Sequence, residues 1–395
     1  MFGWEWPPYN SGGLGIACYG LTKSLAKRGA NITFALPKKI DVDEDFLRLI
    51  FGDTEVVYSE NQLYSAYSSI NYPVSGSNKL VPKKNPPLSK NLLEEVDNYA
   101  DFAQEIACFE NFDIIHVHDW LTAKAGIAAK RVSGKPLIMH VHATEFDRTG
   151  GNNCNQIVYE IEKQGMQNAD VVVAVSNFVK NNIVQNYGIS SAKVKVVHNG
   201  IDFENYELEK ASELKKDNKI VLFLGRLTLQ KGPDYFIYAA KKVLEKMDNL
   251  IFLIAGSGDM ERSLIEKVAE LGISDKVLFT GFLRGPDISR AYQTADVFVM
   301  PSVSEPFGLV PLECMNCKTP TIISKQSGVS EVLTHCLKVD FWDVNELANK
   351  IYSVLKYPEL YQCLRENGFK EVNKINWDKP AEKCINIYNQ VLLKN

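Results

Sequence analysis

The 395-residue sequence predicts an α/β protein with two doubly wound parallel sheets, and three observations lead to this prediction. Short apolar runs alternate with segments of helical period, which is typical of repeated βαβ units. The alternation occurs in two series, which indicates two Rossmann-like domains. Many of the runs are apolar at every position, as expected for strands that helices cover on both faces.

The first series begins with a helix whose apolar positions recur from Leu14 to Leu25, followed by Gly29 as a helix stop. Residues 38–100 contain Pro, Ser and Tyr with little period, so we predict loops and short helices there. The other elements of this series follow from apolar runs and helical period. They are strands at 31–36, 114–118, 137–142, 171–175 and 194–197 and helices at 122–132 and 155–168.

The second series follows a polar stretch at 202–218, where we place a linker. This linker divides the chain into domains at 1–203 and 204–376. A helical period returns in the final residues, 377–394. The strands predicted in the second domain are 220–224, 250–254, 277–279, 297–300 and 321–323.

Composition and charge exclude several classes of protein. Lys and Arg total 44 against 48 Asp and Glu, so the net charge of −4 does not indicate a nucleic-acid partner. No run of 18 apolar residues predicts a transmembrane helix, and the first residues lack the features of a signal peptide. The cysteines are scattered apart from Cys314 and Cys317, which favours reduced thiols and a cytoplasmic location.

A glycine-rich segment leads into the first helix. Gly12 and Gly13 allow close backbone approach, and a helix N-terminus offers N–H groups to an anion such as a diphosphate. A plain tight turn would have the same sequence, so this motif alone leaves both interpretations open.

Two cations follow the first strand of the second domain. Arg226 and Lys231 lie in the segment 225–232, which directly follows the apolar run that ends at Leu224. Ligands of open α/β sheets bind beyond the carboxyl ends of strands, and both cations suit phosphate oxygens. A solvated charged turn is the alternative.

Two glutamates, Glu305 and Glu313, stand eight residues apart at a predicted strand-to-helix junction. Eight helical residues span about 12 Å, which exceeds the carboxylate separation of a glycosidase pair. The pair would instead suit opposite ends of a long ligand, such as a sugar and a ribose, with the backbone N–H groups of Gly308 and Leu309 on the phosphates between them. An exposed glutamate followed by one on a helix face is the alternative.

Four histidines form two H-x-H pairs, His116 with His118 and His140 with His142. Residues two apart on a strand share a face. No Asp or Cys cluster completes a metal site, so we expect none. We place His118, His142 and the adjacent Asp119 at a ligand cleft, whereas His116 and His140 can be core histidines. The acidic run 41–45 contains D-x-D, but no apolar strand leads into it, so we expect a solvated loop.

These segments together resemble the retaining glycosyltransferases of family 4, which have the GT-B fold of two Rossmann-like domains facing across a cleft. The resemblance covers nearly the whole chain. The segments 11–14, 116–120 and 141–147 also resemble glycogen and starch synthases. The family pattern is carried by Ser304–Glu313 as E-x7-E, by Gly225–Gly232 and by Val197–Asp202.

The resemblance implies a role for each matching position. Gly12 and Gly13 would contact the donor diphosphate together with Arg226 and Lys231, and His142 would lie beside the donor sugar. Glu305 would bind sugar hydroxyls, Glu313 the ribose, and Phe282 and Leu283 the base. His118, Asp119 and Glu145 are candidates on the acceptor side. The final helix, 377–395, would pack back on the first domain.

The implied enzyme is a retaining hexosyltransferase that moves a hexose, with glucose expected, from a UDP-, ADP- or GDP-sugar to a glycan or another hydroxyl acceptor. It would need no tightly bound cofactor. A GT-B sugar-nucleotide epimerase and a non-catalytic sugar-nucleotide-binding relative are the alternatives. Many glycogen synthases have a Lys where this chain has Asn10. Donor base, acceptor, linkage, oligomeric state and the role of residues 38–100 are left open.

Overall fold

The computed structural model describes residues 1–9, 12–54, 92–151, 153–202 and 218–394. Most of the predicted linker lies outside these residues. The chain divides into two compact units. The first comprises Met1–Glu145, Asn153–Gly200 and Trp377–Asn395, and the second comprises Phe146–Asn152 and Ile201–Asn376.

The described residues of the first unit form six strands, and helices connect most of them. Its strands are β1 Thr33–Lys38, β2 Arg48–Thr54, β3 Ile115–His118, β4 Leu137–Val141, β5 Val171–Ala174 and β6 Val194–Val196. Its helices are α1 Gly13–Lys27, α2 Leu92–Phe109, α3 Ala123–Ser133, α4 Glu145–Arg148 (which crosses into the second unit), α5 Gln156–Asn168, α6 Asn177–Tyr187 and α13 Asp378–Leu392.

The described strands of the first unit pair in parallel. β1 pairs with β2, and β3, β4, β5 and β6 follow one another in that order. Phe2 forms parallel bridges to Ala35 of β1 and Val117 of β3, so the first residues of the chain join the two groups of strands. Strands β3 and β4 are buried at every position, which agrees with their uniformly apolar or histidine-containing sequence.

The prediction of loops and short helices for residues 38–100 is wrong in two places. Strand β2 lies at 48–54, and the 18-residue helix α2 begins at Leu92. The buried positions of α2 include Val96, Tyr99 and Ala103, which repeat every three to four residues. This period begins where the Pro- and Ser-rich stretch ends, and the composition of that stretch concealed it. Residues 55–91 lie outside the described part of the chain.

The described strands of the second unit form a parallel six-stranded sheet in the order β12–β11–β10–β7–β8–β9. Its strands are β7 Lys219–Leu224, β8 Leu250–Ala255, β9 Val277–Gly281, β10 Val297–Met300, β11 Thr321–Ser324 and β12 Leu337–Val339. Its helices are α7 Pro233–Leu244, α8 Glu261–Glu270, α9 Pro286–Thr294, α10 Val310–Asn316, α11 Val344–Lys356 and α12 Pro358–Val372.

This strand order places a topological switch point between β7 and β10. From β7 the sheet runs through β8 to β9 in one direction, and from β10 through β11 to β12 in the other. The crossover connections therefore leave in opposite directions and open a crevice at the carboxyl ends of β7 and β10. Both units are α/β with parallel sheets, which confirms the predicted fold class.

Among the described residues, no helix combines the length and apolar character needed to cross a membrane.

Candidate functional site

The switch point of the second unit holds an ion pair between two of the predicted site residues. Lys231 lies in the short 3₁₀ turn after β7, and Glu305 lies in the loop after β10. Lys231 Nζ is 2.6 Å from Glu305 Oε2, and the Ser302 hydroxyl donates to the same oxygen at 3.2 Å. Glu305 Oε1 has no hydrogen-bond donor among the described residues, so one carboxylate oxygen is held while the other is available to a ligand.

The loop that carries Glu305 is fixed through its backbone. The N–H of Glu305 donates to the carbonyl of Gln326 at 2.9 Å, and its own carbonyl accepts from Gly328 at 2.9 Å. Gly308 has a φ of +98°, and a Cβ at that position would lie 3.0 Å from Glu305 Cγ. Glycine is therefore required beside this carboxylate for both backbone and steric reasons.

Glu313 lies on α10, which begins only at Val310. Of the nine residues from Glu305 to Glu313, only the last four are helical, so the separation of about 12 Å expected for a continuous helix does not apply. The two carboxylates nevertheless have different partners. The buried Tyr292 hydroxyl donates to Glu313 Oε2 at 2.7 Å, whereas Glu305 contacts Lys231.

The loop residues before α10 leave backbone donors for a ligand. Among the described residues, the N–H groups of Gly308 and Leu309 have no acceptor, while the carbonyl of Leu309 accepts from Leu312 and Glu313. An anion near these N–H groups would satisfy them.

Two glycines that the sequence reasoning missed shape the same edge of the sheet. Gly256 and Gly258 follow β8. A Cβ on Gly256 would lie 1.8 Å from the Gly225 carbonyl oxygen, and one on Gly258 would lie 2.3 Å from that of Leu227. The loops after β7 and β8 therefore pack backbone to backbone. The sequence pattern that indicates these glycines is G-x-G directly after an apolar strand.

The remaining predicted residues of the second unit surround these loops. Arg226 is half-buried, and its guanidinium donates to Gln230 Oε1 at 3.4 Å. Phe282 follows β9 with 59% of its surface exposed, and Arg284 lies 5.4 Å from its ring centroid. Leu283 is partly exposed. An exposed aromatic face at a strand end is available for stacking on a planar ligand.

In the first unit, the glycine pair lies at the N-terminus of α1. Gly12 is the N-cap residue, Gly13 is the first helical residue, and Gly13 is exposed. The N-cap residue, as a glycine, has no side chain that could cap this helix end. Its first N–H groups face outward from a 15-residue helix, which is the geometry of an anion site and equally that of an uncapped turn.

The four histidines of β3 and β4 form a stacked ladder. Ring centroids are 4.6 Å apart for His116 and His118, 5.5 Å for His118 and His140, and 4.5 Å for His140 and His142. His142, one residue beyond β4, is the most exposed of the four at 8%. The other three are almost completely buried, so His142 forms the accessible end of the ladder.

The ladder is neutral near physiological pH. Burial lowers the pKa of His142 from 6.5 to about 3, because the desolvated imidazolium is disfavoured. Burial, with a smaller contribution from the neighbouring histidines, lowers the pKa of His116, His118 and His140 well below the usual range. Neutral imidazole can donate or accept a hydrogen bond but cannot supply a positive charge.

Helix α1 contributes a residue that the sequence reasoning missed, Cys18. Two groups of three residues each bring potential metal-ligand atoms within 4.8 Å of one another. The first group is Cys18, His118 and His142, and the second is His116, His118 and His140. In the second group, the angles between the imidazole planes are only 13–26°. The nitrogen lone pairs of such nearly parallel rings lie in parallel planes and do not converge on one ion. The expectation that these histidines hold no metal stays a prediction.

Two of the three acceptor-side candidates are tied into hydrogen-bonded loops. Asp119 directly follows β3 with a φ of 62°, and its Oδ1 accepts from the N–H of His142 at 2.5 Å and of Ala143 at 3.2 Å. Glu145 Oε1 accepts from the N–H of Asn155 at 3.1 Å. These contacts hold the loop after β4, and the proposed acceptor roles stay predictions.

Comparison with known proteins identifies the family of the chain. A family model described as Glycosyltransferase Family 4 matches residues 11–205, and one described as Glycosyl transferases group 1 matches residues 205–371. An uncharacterized glycosyltransferase of Methanocaldococcus jannaschii is 30% identical over 98% of this chain and 97% of its own length.

Solved structures share the fold at lower identity. The catalytic domain of starch synthase IV from Arabidopsis thaliana, bound to ADP and acarbose, has a TM-score of 0.71 at 17% identity and covers 99% of this chain and 98% of that one. Anabaena HepE in complex with UDP and glucose has a TM-score of 0.70 at 18% identity, with 98% of each chain covered. Given the family matches over both halves and the full-length relative, the chain belongs to the family 4 glycosyltransferases, which have the GT-B fold.

Proposed function

We propose that this glycosyltransferase moves a hexose, with glucose as the first donor to test, from a nucleoside-diphosphate sugar to a hydroxyl acceptor, and that it retains the anomeric configuration. The observation that carries the proposal is the Lys231–Glu305 pair at the switch point of the second sheet. In this pair, a cation that suits a phosphate lies beside a carboxylate that suits a sugar hydroxyl.

The diphosphate is assigned to Arg226, Lys231 and the N–H groups of Gly308 and Leu309. Charge develops on the leaving diphosphate as the bond from the sugar C1 to the phosphate oxygen breaks. Fixed cations and N–H dipoles stabilise this charge without having to reorganise during the reaction. Lys231 pairs with Glu305 in the free protein, and a bound diphosphate would be a second anionic partner for its ammonium group.

The sugar is assigned to Glu305. Lys231 and Ser302 hold Oε2, and Oε1 can accept a hydrogen bond from a sugar hydroxyl. A charge-assisted bond of this kind is stronger than one between neutral groups. Glu305 would therefore orient the sugar relative to the diphosphate rather than attack C1.

The nucleoside is assigned to Glu313 and Phe282. Glu313 is oriented by the Tyr292 hydroxyl, and its carboxylate would accept from the ribose hydroxyls. The exposed ring of Phe282 would stack on the base. Stacking tolerates any base, so UDP-, ADP- and GDP-sugars are all tested. The UDP of HepE and the ADP of the starch synthase support a nucleoside diphosphate as ligand.

Retention would follow from attack on the face that the diphosphate leaves. The acceptor oxygen bonds to C1 as the C1–O bond to phosphate breaks, and the acceptor proton passes to the departing phosphate oxygen. This step requires no enzyme nucleophile. His142, neutral and at the exposed end of its ladder, is assigned to the sugar as a hydrogen-bonding group.

The test incubates the protein with UDP-glucose, ADP-glucose or GDP-mannose and a panel of oligosaccharide and small polyol acceptors. We expect nucleoside diphosphate to be released only when acceptor is present, and NMR of the product to show the anomeric configuration of the donor. Release without acceptor together with an epimerised sugar would favour the epimerase. An inverted product would refute retention.

A variant pair tests the assignment of the two glutamates. Glu313→Ala should weaken nucleoside diphosphate binding by roughly 10- to 150-fold, because a charge-assisted hydrogen bond contributes about 1.5–3 kcal/mol. Glu305→Ala should lower kcat while leaving that affinity nearly unchanged, since its proposed partner is the sugar. Glu266→Gln, an exposed residue paired with Arg262 on α8, is the control.

Calorimetric titration of nucleoside diphosphate into the three variants decides the assignment. Equal losses of nucleoside diphosphate affinity in Glu305→Ala and Glu313→Ala would show that the assignment of Glu305 to the sugar and Glu313 to the ribose is wrong. A loss in the control would show that binding responds to surface charge in general.

A further inference from the structure

We infer that His118 is a positioning residue that fixes the tautomer of His142, so that His142 presents an N–H donor, at Nδ1, to its ligand. The inference rests on the proposed function, because it specifies what the exposed end of the histidine ladder does there. It is carried by one hydrogen bond and one unpartnered ring nitrogen.

The hydrogen bond joins the two rings. His118 Nδ1 and His142 Nε2 are 3.1 Å apart, and His118 is completely buried. This contact engages Nε2 of His142, which leaves Nδ1 as the ring nitrogen for a ligand. The proton of the contact belongs to one ring or the other, and its location decides whether Nδ1 of His142 carries a hydrogen.

The other nitrogen of His118 locates this proton. His118 Nε2 is buried and has no partner among the described residues. A buried N–H without an acceptor is rarer in proteins than an acceptor without a donor. The neutral ring therefore places its one hydrogen on Nδ1, where it is used, and Nε2 keeps a lone pair. His118 Nδ1–H then donates to His142 Nε2.

The tautomer of His142 follows from this bond. Its Nε2 accepts, so the single hydrogen of its neutral ring is on Nδ1. The backbone of His142 is held as well, since its N–H donates to Asp119 Oδ1 at 2.5 Å. Ring and backbone are thus both fixed, and the group that meets the ligand is a hydrogen-bond donor, suited to a sugar hydroxyl or a phosphate oxygen. It is not a base.

His140 provides a matched control. It is equally buried, belongs to the same ladder and stacks on His142 at 4.5 Å. Among the described residues, neither of its ring nitrogens has a partner. His140→Leu therefore removes a buried imidazole next to His142 without removing the hydrogen bond.

The first experiment measures the tautomer directly. Protein with ¹⁵N-labelled histidine is examined by long-range ¹H–¹⁵N correlation at pH 7, and the His142 signals are assigned by their loss in His142→Gln. We expect a protonated Nδ1 and an unprotonated Nε2 in the wild type and in His140→Leu. A protonated Nε2 in the wild type would overturn the inference, whether or not the protein transfers sugar.

The second experiment measures transfer. His118→Leu should lower kcat at least tenfold with little change in nucleoside diphosphate affinity. His118→Asn, whose amide nitrogen can take the place of Nδ1–H, should restore most of the rate. His140→Leu should keep wild-type kcat per folded molecule. Equal losses in His118→Leu and His140→Leu, or no rescue by Asn, would show that His118 is only structural. A wild type that transfers no sugar would refute the proposed function and leave the tautomer result standing.

Discussion

Acidification should destabilise the first unit steeply, because its histidine ladder is buried in the neutral form. In the unfolded chain each histidine takes up a proton near pH 6.5, whereas in the folded unit burial lowers the pKa of His142 to about 3 and those of the other three well below 6.5. Between these values the unfolded state binds more protons. The stability present above pH 6.5 is therefore lost as the pH falls.

The magnitude follows from proton linkage. Between pH 7 and pH 5.5, each histidine that stays neutral in the folded state costs about 1.3 kcal/mol, so the four together cost about 5 kcal/mol. This is comparable with the entire stability of many domains. The buried amino group of Met1 has a pKa lowered to about 5 by desolvation, so it acts in the same direction.

The assay is urea unfolding at several pH values between 5.5 and 7, followed by tryptophan fluorescence. Four of the five tryptophans are buried in the first unit, at positions 4, 6, 120 and 377, so fluorescence reports mainly on that unit. His140→Leu removes one titrating group, and its free energy of unfolding should fall by about 1.3 kcal/mol less than that of the wild type over this range.

The comparison of the two pH dependences is decisive. Equal pH dependence in the wild type and His140→Leu would show that His140 is not held neutral in the folded state, and the electrostatic description of the ladder would be wrong. His335→Leu, an exposed position of the second unit, controls for the loss of a histidine as such.

Three further predictions concern packing and ions. Gly308→Ala should cost about 1–3 kcal/mol of stability, because a Cβ strains a left-handed backbone. The same substitution should lower kcat by displacing Glu305, and an unchanged kcat in the transfer assay would contradict this. Gly20→Ala should lower the free energy of unfolding by about 1–3 kcal/mol, since its Cβ would lie 2.1 Å from the indole of Trp377; a wild-type unfolding midpoint in urea would contradict it. EDTA should leave the initial rate of transfer unchanged, and a loss that a divalent ion restores would reinstate the histidine and cysteine groups as a metal site.

The amino-acid sequence by itself determined the fold class and the places where chemistry could occur. Uniformly apolar runs such as 171–174 and 250–255 are strands because a sheet covered on both faces excludes polar side chains. The residues after such runs lie at the carboxyl edge of a parallel sheet. The glycines, cations and glutamates there were therefore recognisable as candidates before any contact was known. The period of α2 was also present in the sequence.

Only the tertiary structure decided which of these residues meet. Lys231 and Glu305 are 74 positions apart and touch because β7 and β10 are neighbours in the sheet, an arrangement that no local pattern encodes. The hydrogen bond between His118 and His142 depends on the parallel pairing of β3 with β4. Cys18 reaches the same place from a helix far away in the chain. Local periodicity reflects which face of an element is buried, whereas strand order and register are set by packing over the whole unit, and these place the functional groups side by side.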